Sequence, residues 1–369
     1  MTAGGGPPPA PPDSADQESA EPPSCPACSG PVSQGDRFCE ACGASLGGPT
    51  PEKGSPEPCA ECGAEMGADG YCTQCGARAP NPRDHLVQQP ASWVAGVSDR
   101  GIHHPRNEDA VALHAGAEPG TRAVLVVCDG VSSSSDSDVA SLAAVQAARD
   151  LLAVSDPQAL GTASTRRAAT ARALEAAADA ANDAVVAHTS AGAASPAACT
   201  FVAAVLDGSL LAVGSVGDSR AYWLPDDGPA QLLTIDDSFA AEQIAAGMAR
   251  ADAETGPQAH AITRWLGADA PDHTPRVTCL DLLGAGWVLV CSDGLWNYAS
   301  APDAVGALVH EAFAEASAPL ALADALVSWA NTQGGKDNIT VALARVDGPR
   351  VASRPSDREE ATPNGDVHG

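Results

Sequence analysis

Two patterns of hydrophobic and polar residues alternate along the chain between about residues 92 and 346. Runs of five or six apolar residues, many of them valine, end in turn-forming residues, which is typical of buried β-strands. Longer alanine-rich stretches with polar residues at helical spacing predict amphipathic helices. The predicted strands are SWVAGVSD, DAVALHA, AVLVVCDG, CTFVAAVLDG, LLAVGSVGDSRAYWL, RVTCLDL, WVLVCSDG and NITVALARV. The predicted helices span residues 138–153, 164–188, 238–247, 301–314 and 318–332.

The order of these elements predicts the fold class. Many strands occur in adjacent pairs joined by short turns, and LDGSLLAVG is one predicted hairpin. Long helices separate the pairs. This order favours an α+β sandwich over a fold in which strands and helices alternate strictly around a parallel sheet.

Composition divides the chain of 369 residues into five segments. Residues 1–23 are rich in Pro, Gly, Ser and acidic residues and are predicted to be disordered. Residues 24–78 are rich in cysteine, and residues 79–91 are predicted to form a linker. Residues 92–346 carry the strand and helix pattern, and residues 347–369 return to a disorder-like composition.

The charge of the chain narrows its possible partners. A formal charge of −27 disfavours nucleic-acid binding, because such binding requires a basic surface that displaces phosphate counterions. It suits cationic partners or divalent metals instead. No apolar run reaches the about 18 to 20 residues of a membrane span, and the N-terminus lacks signal-peptide features. We therefore expect no membrane partner, a cytoplasmic location and cysteines that do not form disulfides.

Eight cysteines form two tandem sets, in each of which one CxxC pair is followed by another after nine or ten residues. Four thiolates at this spacing can bind one tetrahedral zinc ion and close a short ribbon that has no core of its own. Redox-active CxxC pairs or reduced thiols are the alternatives. Such a double zinc ribbon usually mediates binding or assembly, and the sequence does not identify its partner. The predicted structural zinc ligands are Cys25, Cys28, Cys39, Cys42, Cys59, Cys62, Cys72 and Cys75.

Two predicted strands end in the same dipeptide. AVLVVCDG ends in Asp129-Gly130, and WVLVCSDG ends in Asp293-Gly294. After a strand, glycine commonly supplies the positive φ that a tight turn requires. Because both aspartates follow apolar runs, we expect the two carboxylates to lie at the same end of a sheet.

Further acidic residues occur at predicted strand ends and turns. Each of them alone is typical of a solvated turn, but together they would repel one another unless cations were bound. Carboxylate oxygens favour Mg²⁺ or Mn²⁺ over zinc, and two such ions could polarise a phosphoryl oxygen and activate water. The six residues are Glu108, Asp109, Asp129, Asp218, Asp293 and Asp337.

The sequence RNEDA, VVCDG, VGDSRAY, LTIDDS, LVCSDGLW and GGKDNITV, in this order, resembles the motifs of the metal-dependent protein serine/threonine phosphatases, the PPM or type-2C family. The resemblance extends from about residue 92 to residue 346. It implies a four-layer αββα sandwich, in which two antiparallel sheets pack face to face with helices outside. It also implies a binuclear metal centre at one edge of the sandwich and hydrolysis of phosphoserine or phosphothreonine by activated water.

The same resemblance implies individual metal ligands. Asp129 would bridge two Mn²⁺ or Mg²⁺ ions, and the carbonyl group of Gly130 would be a further ligand. Glu108 would hold one ion directly or through water, while Asp293 and Asp337 would hold the other.

Four further residues receive roles from the resemblance. Asp218 is similar to the residue that helps to bind a third, weaker ion in bacterial members. Asp109 would orient metal-bound water as a catalytic residue, with Asn338 and Ser292 supporting the centre.

The chain departs from the family at the arginine that usually precedes NED and grips the substrate phosphate. The segment DRGIHHPRNED has His103 and His104 in that region, with Arg106 offset. Either Arg106 or one of the histidines would contact the phosphate. A second departure is DGVSSSSDSDVAS, because relatives commonly have further glycines after Asp-Gly. Its serines are predicted to form a polar loop and to supply the N-cap of the next helix. A third departure is Asp236-Asp237 in LTIDDS, where many relatives have Asp-His, and this segment is expected to lie away from the ligand motifs.

Two functions follow from these observations. The first is an active phosphatase whose partners are phosphorylated proteins and serine/threonine kinases, with the zinc ribbons as targeting elements. The second is a weakly active or inactive phosphatase-fold scaffold that binds partners through its zinc ribbons. All the required carboxylates are present, which favours the enzyme.

Overall fold

The computed structural model describes residues 58–155, 161–190, 192–256 and 258–348. The chain divides into two compact units, Met1–Pro80 and Asn81–Gly369. The first predicted zinc ligands, Cys25, Cys28, Cys39 and Cys42, lie outside the described residues.

The second unit consists of strands and helices whose order matches the predicted α+β pattern. Its strands are β1 His85–Ala91, β2 Val94–Asp99, β3 Ala110–Ala115, β4 Arg122–Cys128, β5 Ala198–Cys199, β6 Phe201–Asp207, β7 Leu210–Val216, β8 Arg220–Pro225, β9 Gln231–Leu232, β10 Leu266–Gly267, β11 Arg276–Asp281, β12 Ala285–Cys291 and β13 Ile339–Asp347. Its helices are α1 Ser137–Val154, α2 Ala163–Ala187, α3 Phe239–Ala245, α4 Arg250–Ala253, α5 Asp293–Trp296, α6 Pro302–Glu315 and α7 Pro319–Gln333.

Two antiparallel sheets form the centre of this unit. One has the strand order β1-β2-β13-β12-β8-β9, and the other has the order β11-β7-β6-β4-β3. β5 and β10 form a separate short ladder. The apolar faces of the two sheets pack against each other through residues such as Leu125, Val127, Val288 and Val290.

Helices cover the outer faces of both sheets. α1 and α2 pack on the five-stranded sheet through Val145, Leu152 and Leu174, among others. α5, α6 and α7 pack on the six-stranded sheet, where Leu326 and Trp287 are buried. The predicted four-layer αββα sandwich is therefore confirmed.

The helix predictions agree with the structure to within about two residues at most ends. The prediction that a serine caps the first helix is wrong. The N-cap position of α1 is Asp136, whose φ of 56° is left-handed and whose side chain makes no capping hydrogen bond. Among the serines before it, Ser132 donates to Oε2 of Glu108 at 2.6 Å and Ser135 donates to the carbonyl group of Ser195 at 2.9 Å.

Two element predictions need correction. Residues 85–91, placed in the linker, form β1, which pairs with β2 at the edge of the six-stranded sheet. The run LLAVGSVGDSRAYWL is two strands, β7 and β8, which belong to different sheets. The chain breaks between them at Gly217, whose φ is +99° and whose Cβ substituent would lie 2.7 Å from the Thr200 side chain.

Among the described residues, no helix combines the length and the apolar character that crossing a membrane requires.

Candidate active site

The two Asp-Gly pairs lie at the same end of the sandwich but come from different sheets. Asp129 directly follows β4 of the five-stranded sheet, whereas Asp293 begins α5 just after β12 of the six-stranded sheet. The Asp293 carboxylate is close enough to contribute to the raised pKa of Asp129. The expected convergence is present, although two sheets rather than one produce it.

The two glycines serve close approach and not a positive φ, which corrects the turn interpretation. Neither Gly130 nor Gly294 is among the positive-φ glycines of the described residues. A Cβ atom on Gly130 would lie 2.7 Å from the carbonyl oxygen of Glu108. A Cβ atom on Gly294 would lie 1.9 Å from the carbonyl oxygen of Asn338. Glycine is required because neighbouring backbone occupies the space of a side chain.

Five aspartates form a single acidic cluster, here called the aspartate cluster: Asp109, Asp129, Asp218, Asp293 and Asp337. Asp109 and Asp218 are buried, while the other three are partly accessible. The side chain of Asp337 is 43% exposed. The cluster therefore has a buried floor and an accessible rim, which is the arrangement that a bound ion and a substrate would need.

Burial and mutual repulsion disfavour the ionised form of four carboxyls of the cluster. Burial raises the pKa of Asp109 to about 7. Burial and the neighbouring carboxylate of Asp236 raise the pKa of Asp218 to about 7. Burial and the surrounding aspartates also raise the pKa of Asp129 and Asp293 well above the usual range. A cation among them would reverse the cause of these shifts.

Two fully buried oxygen atoms of the aspartate cluster have no hydrogen-bond partner in the described part of the chain. Oδ1 of Asp109 and Oδ1 of Asp293 are both buried. A buried, unpartnered carboxylate oxygen is costly unless something else satisfies it. The oxygen-only donor set fits a hard divalent cation such as Mg²⁺ or Mn²⁺.

Hydroxyl and amide side chains hold the cluster in place. Ser292 Oγ donates to Oδ2 of Asp109 at 2.7 Å and accepts the N–H of Thr340 at 3.0 Å. Oδ1 of Asn338 accepts the N–H of Glu108 at 2.8 Å. Ser292 and Asn338 thus have the supporting positions that the motifs implied.

Two supporting residues were missed by sequence reasoning. Thr200 Oγ1 accepts the N–H of Asp129 at 3.0 Å. Arg83, assigned to the linker, donates to the carbonyl oxygen of Asp109 at 2.8 Å. No local pattern around Arg83 indicates this contact, because it depends on β1 joining the sheet.

Glu108 is held differently from the aspartates. Its Oε1 accepts from Arg106 Nε at 2.9 Å, from Arg106 Nη2 at 2.7 Å and from Ser137 Oγ at 2.7 Å. Its Oε2 accepts from Ser132 Oγ at 2.6 Å. Although burial acts in the opposite direction, the hydrogen bonds from Ser132, Ser137 and Arg106 lower the pKa of Glu108.

The three candidate phosphate-binding residues have different surroundings. Nε2 of His104 lies 3.1 Å from Oδ1 of Asp337, and its Nδ1 lies 3.8 Å from Oε2 of Glu108. Arg106 is paired with Glu108. His103 is exposed, and its backbone N–H donates to the carbonyl group of Gly335. The structure therefore brings His104 and Arg106 to the acidic site and leaves the His103 side chain exposed.

The LTIDDS segment is closer to the site than its sequence position indicated. Asp236 contributes to the raised pKa of Asp218. It also forms a buried ion pair with Arg220 at 2.7 Å, and the Arg220 guanidinium stacks on the Trp296 ring at 3.6 Å. Trp296 Nε1 donates to the carbonyl oxygen of Asp218 at 3.0 Å. The expectation that this segment lies away from the ligand motifs is wrong.

An open cavity of about 390 Å³ adjoins the aspartate cluster. Asp293, Gly294 and Asp337 line it together with Lys336 and His260, among others. The cavity therefore connects the Asp293 and Asp337 side of the cluster to solvent.

The described part of the first unit contains a four-cysteine cluster. Every Sγ atom of Cys59, Cys62, Cys72 and Cys75 lies within 4.8 Å of the others. The N–H groups of Gln74 and Cys75 each donate to Sγ of Cys72 at 3.4 Å. These two hydrogen bonds, of which that from Cys75 has the larger effect, lower the pKa of the Cys72 thiol to about 6. Four converging sulfurs with backbone donors fit a tetrahedral metal site of the zinc-ribbon type.

Comparison with curated proteins identifies bacterial relatives. The chain is 33% identical over 145 residues to the serine/threonine phosphatase stp of Listeria innocua, covering 39% of this chain and 55% of the relative. It is 30% identical over 254 residues to the serine/threonine protein phosphatase PstP of Mycobacterium tuberculosis, covering 68% of this chain and 44% of the relative. The chain thus spans about half the length of the curated relatives it matches.

Solved structures share the sandwich. The Mycobacterium tuberculosis serine/threonine phosphatase PstP/Ppp superposes with a TM-score of 0.54 at 26% identity, covering 71% of this chain and 99% of the other. A structure of the PstP catalytic domain in complex with two manganese ions gives a TM-score of 0.50, also at 26% identity, covering 71% of this chain and 100% of the other.

The family model for protein phosphatase 2C matches residues 102–340, a span that contains all six acidic motif residues. This span is more than half of the chain, and the sandwich and the aspartate cluster lie within the same unit. The chain therefore belongs to the protein phosphatase 2C family.

Proposed function

We propose that this protein is a metal-dependent serine/threonine phosphatase that hydrolyses phosphoserine and phosphothreonine in proteins. The observation that carries the proposal is the aspartate cluster, in which two buried carboxylate oxygens lack a protein partner. Burial and repulsion between the carboxylates raise the pKa of Asp129 and of Asp293. Such a cluster is stable near neutral pH when cations compensate its charge.

We propose the following roles for the carboxylates. Asp129, with the carbonyl group of Gly130, would hold two Mn²⁺ or Mg²⁺ ions. Glu108 would hold one of them directly or through water, and Asp293 and Asp337 would hold the other. Asp218, with its raised pKa, would contribute to a third and weaker site. When bound, these ions supply a Lewis acid for the phosphoryl oxygens and a water nucleophile at neutral pH. Asp109, fixed by Ser292, would orient that water through its free Oδ1 atom.

His104 is the side chain best placed to contact the substrate phosphate. It lies at the accessible rim beside Asp337, whereas the Arg106 guanidinium directs two donors to Glu108. A histidine donates only one hydrogen bond per nitrogen, so the contact is weaker than a bidentate arginine contact. The contact of His104 with the phosphate and the bound metal ions would together hold the substrate.

The remaining roles concern partners and location. Phosphorylated proteins are the proposed substrates, and serine/threonine kinases are the proposed source of the phosphate. The four-cysteine cluster would bind structural zinc, and the ribbons would serve as targeting elements for an unidentified partner. A reducing cytoplasm suits free thiolates.

The test is hydrolysis of a generic aryl phosphate by the full chain at neutral pH, with and without Mn²⁺. Turnover that requires Mn²⁺ is expected, and Asp129→Asn should abolish it. Asp227→Asn, the same chemical change on an exposed turn, is the matched control and should retain turnover. Folded protein that binds Mn²⁺ but does not turn over would support the scaffold instead.

A further inference from the structure

Glu108 differs from the aspartate cluster because an arginine side chain, Arg106, is paired with it. Arg106 directs Nε and Nη2 to Oε1 of Glu108 at 2.9 and 2.7 Å. The carboxylate is nearly inaccessible, with 5% of its side chain exposed, while the Arg106 side chain is 44% exposed. The ion pair thus joins a buried acceptor to a guanidinium that can leave toward solvent.

Two serines complete the hydrogen bonding of the same carboxylate. Ser137 Oγ donates to Oε1 at 2.7 Å, and Ser132 Oγ donates to Oε2 at 2.6 Å. Glu108 therefore accepts four hydrogen bonds from side chains, while one oxygen of Asp109 and one of Asp293 accept none within the described residues. The carboxylates that lack partners, and therefore require a bound cation, are aspartates and not Glu108.

We propose that Arg106 is a built-in competitor for the divalent ion on the Glu108 side of the centre, and that it lowers the affinity of that ion alone. This inference rests on the proposed metal centre but not on catalytic turnover. Arg106 acts as a positioning residue, because it acts through Glu108. Binding of the ion at this side requires the guanidinium to release Glu108, whereas the ion held by Asp293 and Asp337 binds without such a step.

The consequence is that the Arg106 guanidinium and the divalent ion compete for the Glu108 carboxylate. Couplings between sites typically change affinity by about 5- to 150-fold. We expect Arg106→Gln to tighten the weaker of two Mn²⁺ affinities by about tenfold and to leave the tighter one within about twofold. Arg149→Gln, which removes the same charge from a surface pair with Asp150, should change neither.

The test is a double-mutant cycle in which Mn²⁺ binding is measured by calorimetry on the full chain. The chain is dialysed free of Mn²⁺ and Mg²⁺ without a chelator, so that zinc is retained. The variants are Arg106→Gln, Glu108→Gln and the two combined. If Arg106 acts through Glu108, the affinity gain from Arg106→Gln disappears in the Glu108→Gln background. An unchanged or weaker affinity in Arg106→Gln would overturn the proposal, and so would a gain that persists without Glu108.

Arg106→Lys guards against misfolding of the glutamine variant. It keeps the charge but loses the paired donors of the guanidinium, so a smaller gain of about threefold is expected. No gain in a folded Arg106→Lys variant, as judged by its thermal melt, would count against the proposal. Because binding rather than turnover is measured, a chain that binds Mn²⁺ but does not hydrolyse phosphate would refute the proposed function and leave this test readable.

Discussion

Ser292 and Asp109 are 183 residues apart in the sequence, and their side chains hydrogen-bond at 2.7 Å between the two sheets. Ser292 follows β12 of the six-stranded sheet, and Asp109 precedes β3 of the five-stranded sheet. The bond fixes Oδ2 of Asp109, while the buried Oδ1 has no hydrogen-bond partner among the described residues. It is therefore a direct link between the packing of the sandwich and the geometry of the site.

Ser292→Ala should weaken both stability and metal binding. The substitution removes the donor to a buried carboxyl, which costs about 1 to 3 kcal/mol of unfolding free energy. Loss of a supporting partner typically lowers metal affinity or activity by about 10- to 100-fold. Urea unfolding and Mn²⁺ calorimetry measure the two effects, with Ser209→Ala in an exposed hairpin as the control. Wild-type Mn²⁺ affinity in Ser292→Ala would contradict the assigned role of Ser292.

The unfolding free energy of the protein without Mn²⁺ or Mg²⁺ should fall as the pH rises. Asp109 and Asp218 have ordinary pKa values of 3.8, and burial raises both to about 7 in the folded protein. Between these values the folded state binds more protons than the unfolded chain, so its stability decreases with increasing pH. Unfolding by urea at about pH 5 and about pH 8, without Mn²⁺ or Mg²⁺, should give the larger free energy at the lower pH.

Two comparisons identify the groups responsible for this dependence. Asp218→Asn should reduce the difference between the two pH values, because asparagine does not titrate. Added Mn²⁺ should also reduce it, since a bound cation favours the ionised carboxyls. A metal-free protein that is more stable at the higher pH would show that the aspartate cluster is already compensated by the protein.

Gly294→Ala should destabilise the second unit severely. The new Cβ atom would lie 1.9 Å from the carbonyl oxygen of Asn338, and that backbone enters β13. Overpacking of this kind costs about 3 kcal/mol at the upper end of its usual range. Gly284→Ala is the matched control, because nothing lies within 4 Å of its Cβ position. Equal unfolding free energies for the two variants would refute the close-approach explanation.

Cys72→Ser should remove one of two zinc ions per chain and leave hydrolysis of a small aryl phosphate unchanged. Cys72 is one of four converging sulfurs, and the aspartate cluster belongs to the other unit. Elemental analysis of the purified chain measures the zinc content. Cys279→Ser, in β11, is the control and should retain both ions. Undiminished zinc in Cys72→Ser would indicate that this cluster is not a zinc site.

Local sequence determined the elements and the chemistry of the candidate site. Alanine-rich helices and valine-rich strands differ in period, so the helix bounds near Ser137 and Gln333 could be predicted closely. The residues at strand ends, such as Asp129 and Asp293, could be assigned because their motifs are contiguous. The cysteine spacing likewise predicted the cluster of Cys59 and Cys72, since a CxxC turn is local.

Tertiary structure decided what depends on contacts between distant segments. β1 has little apolar pattern of its own and becomes a strand because β2 offers it a free edge. The chain crosses between sheets at Gly217, and this residue must be glycine because Thr200 leaves no room for a side chain there. Ser137 of α1 donates to the same Oε1 atom of Glu108 that accepts from Arg106. Steric exclusion and buried hydrogen bonds determine these features, and neither produces a periodic pattern in the sequence.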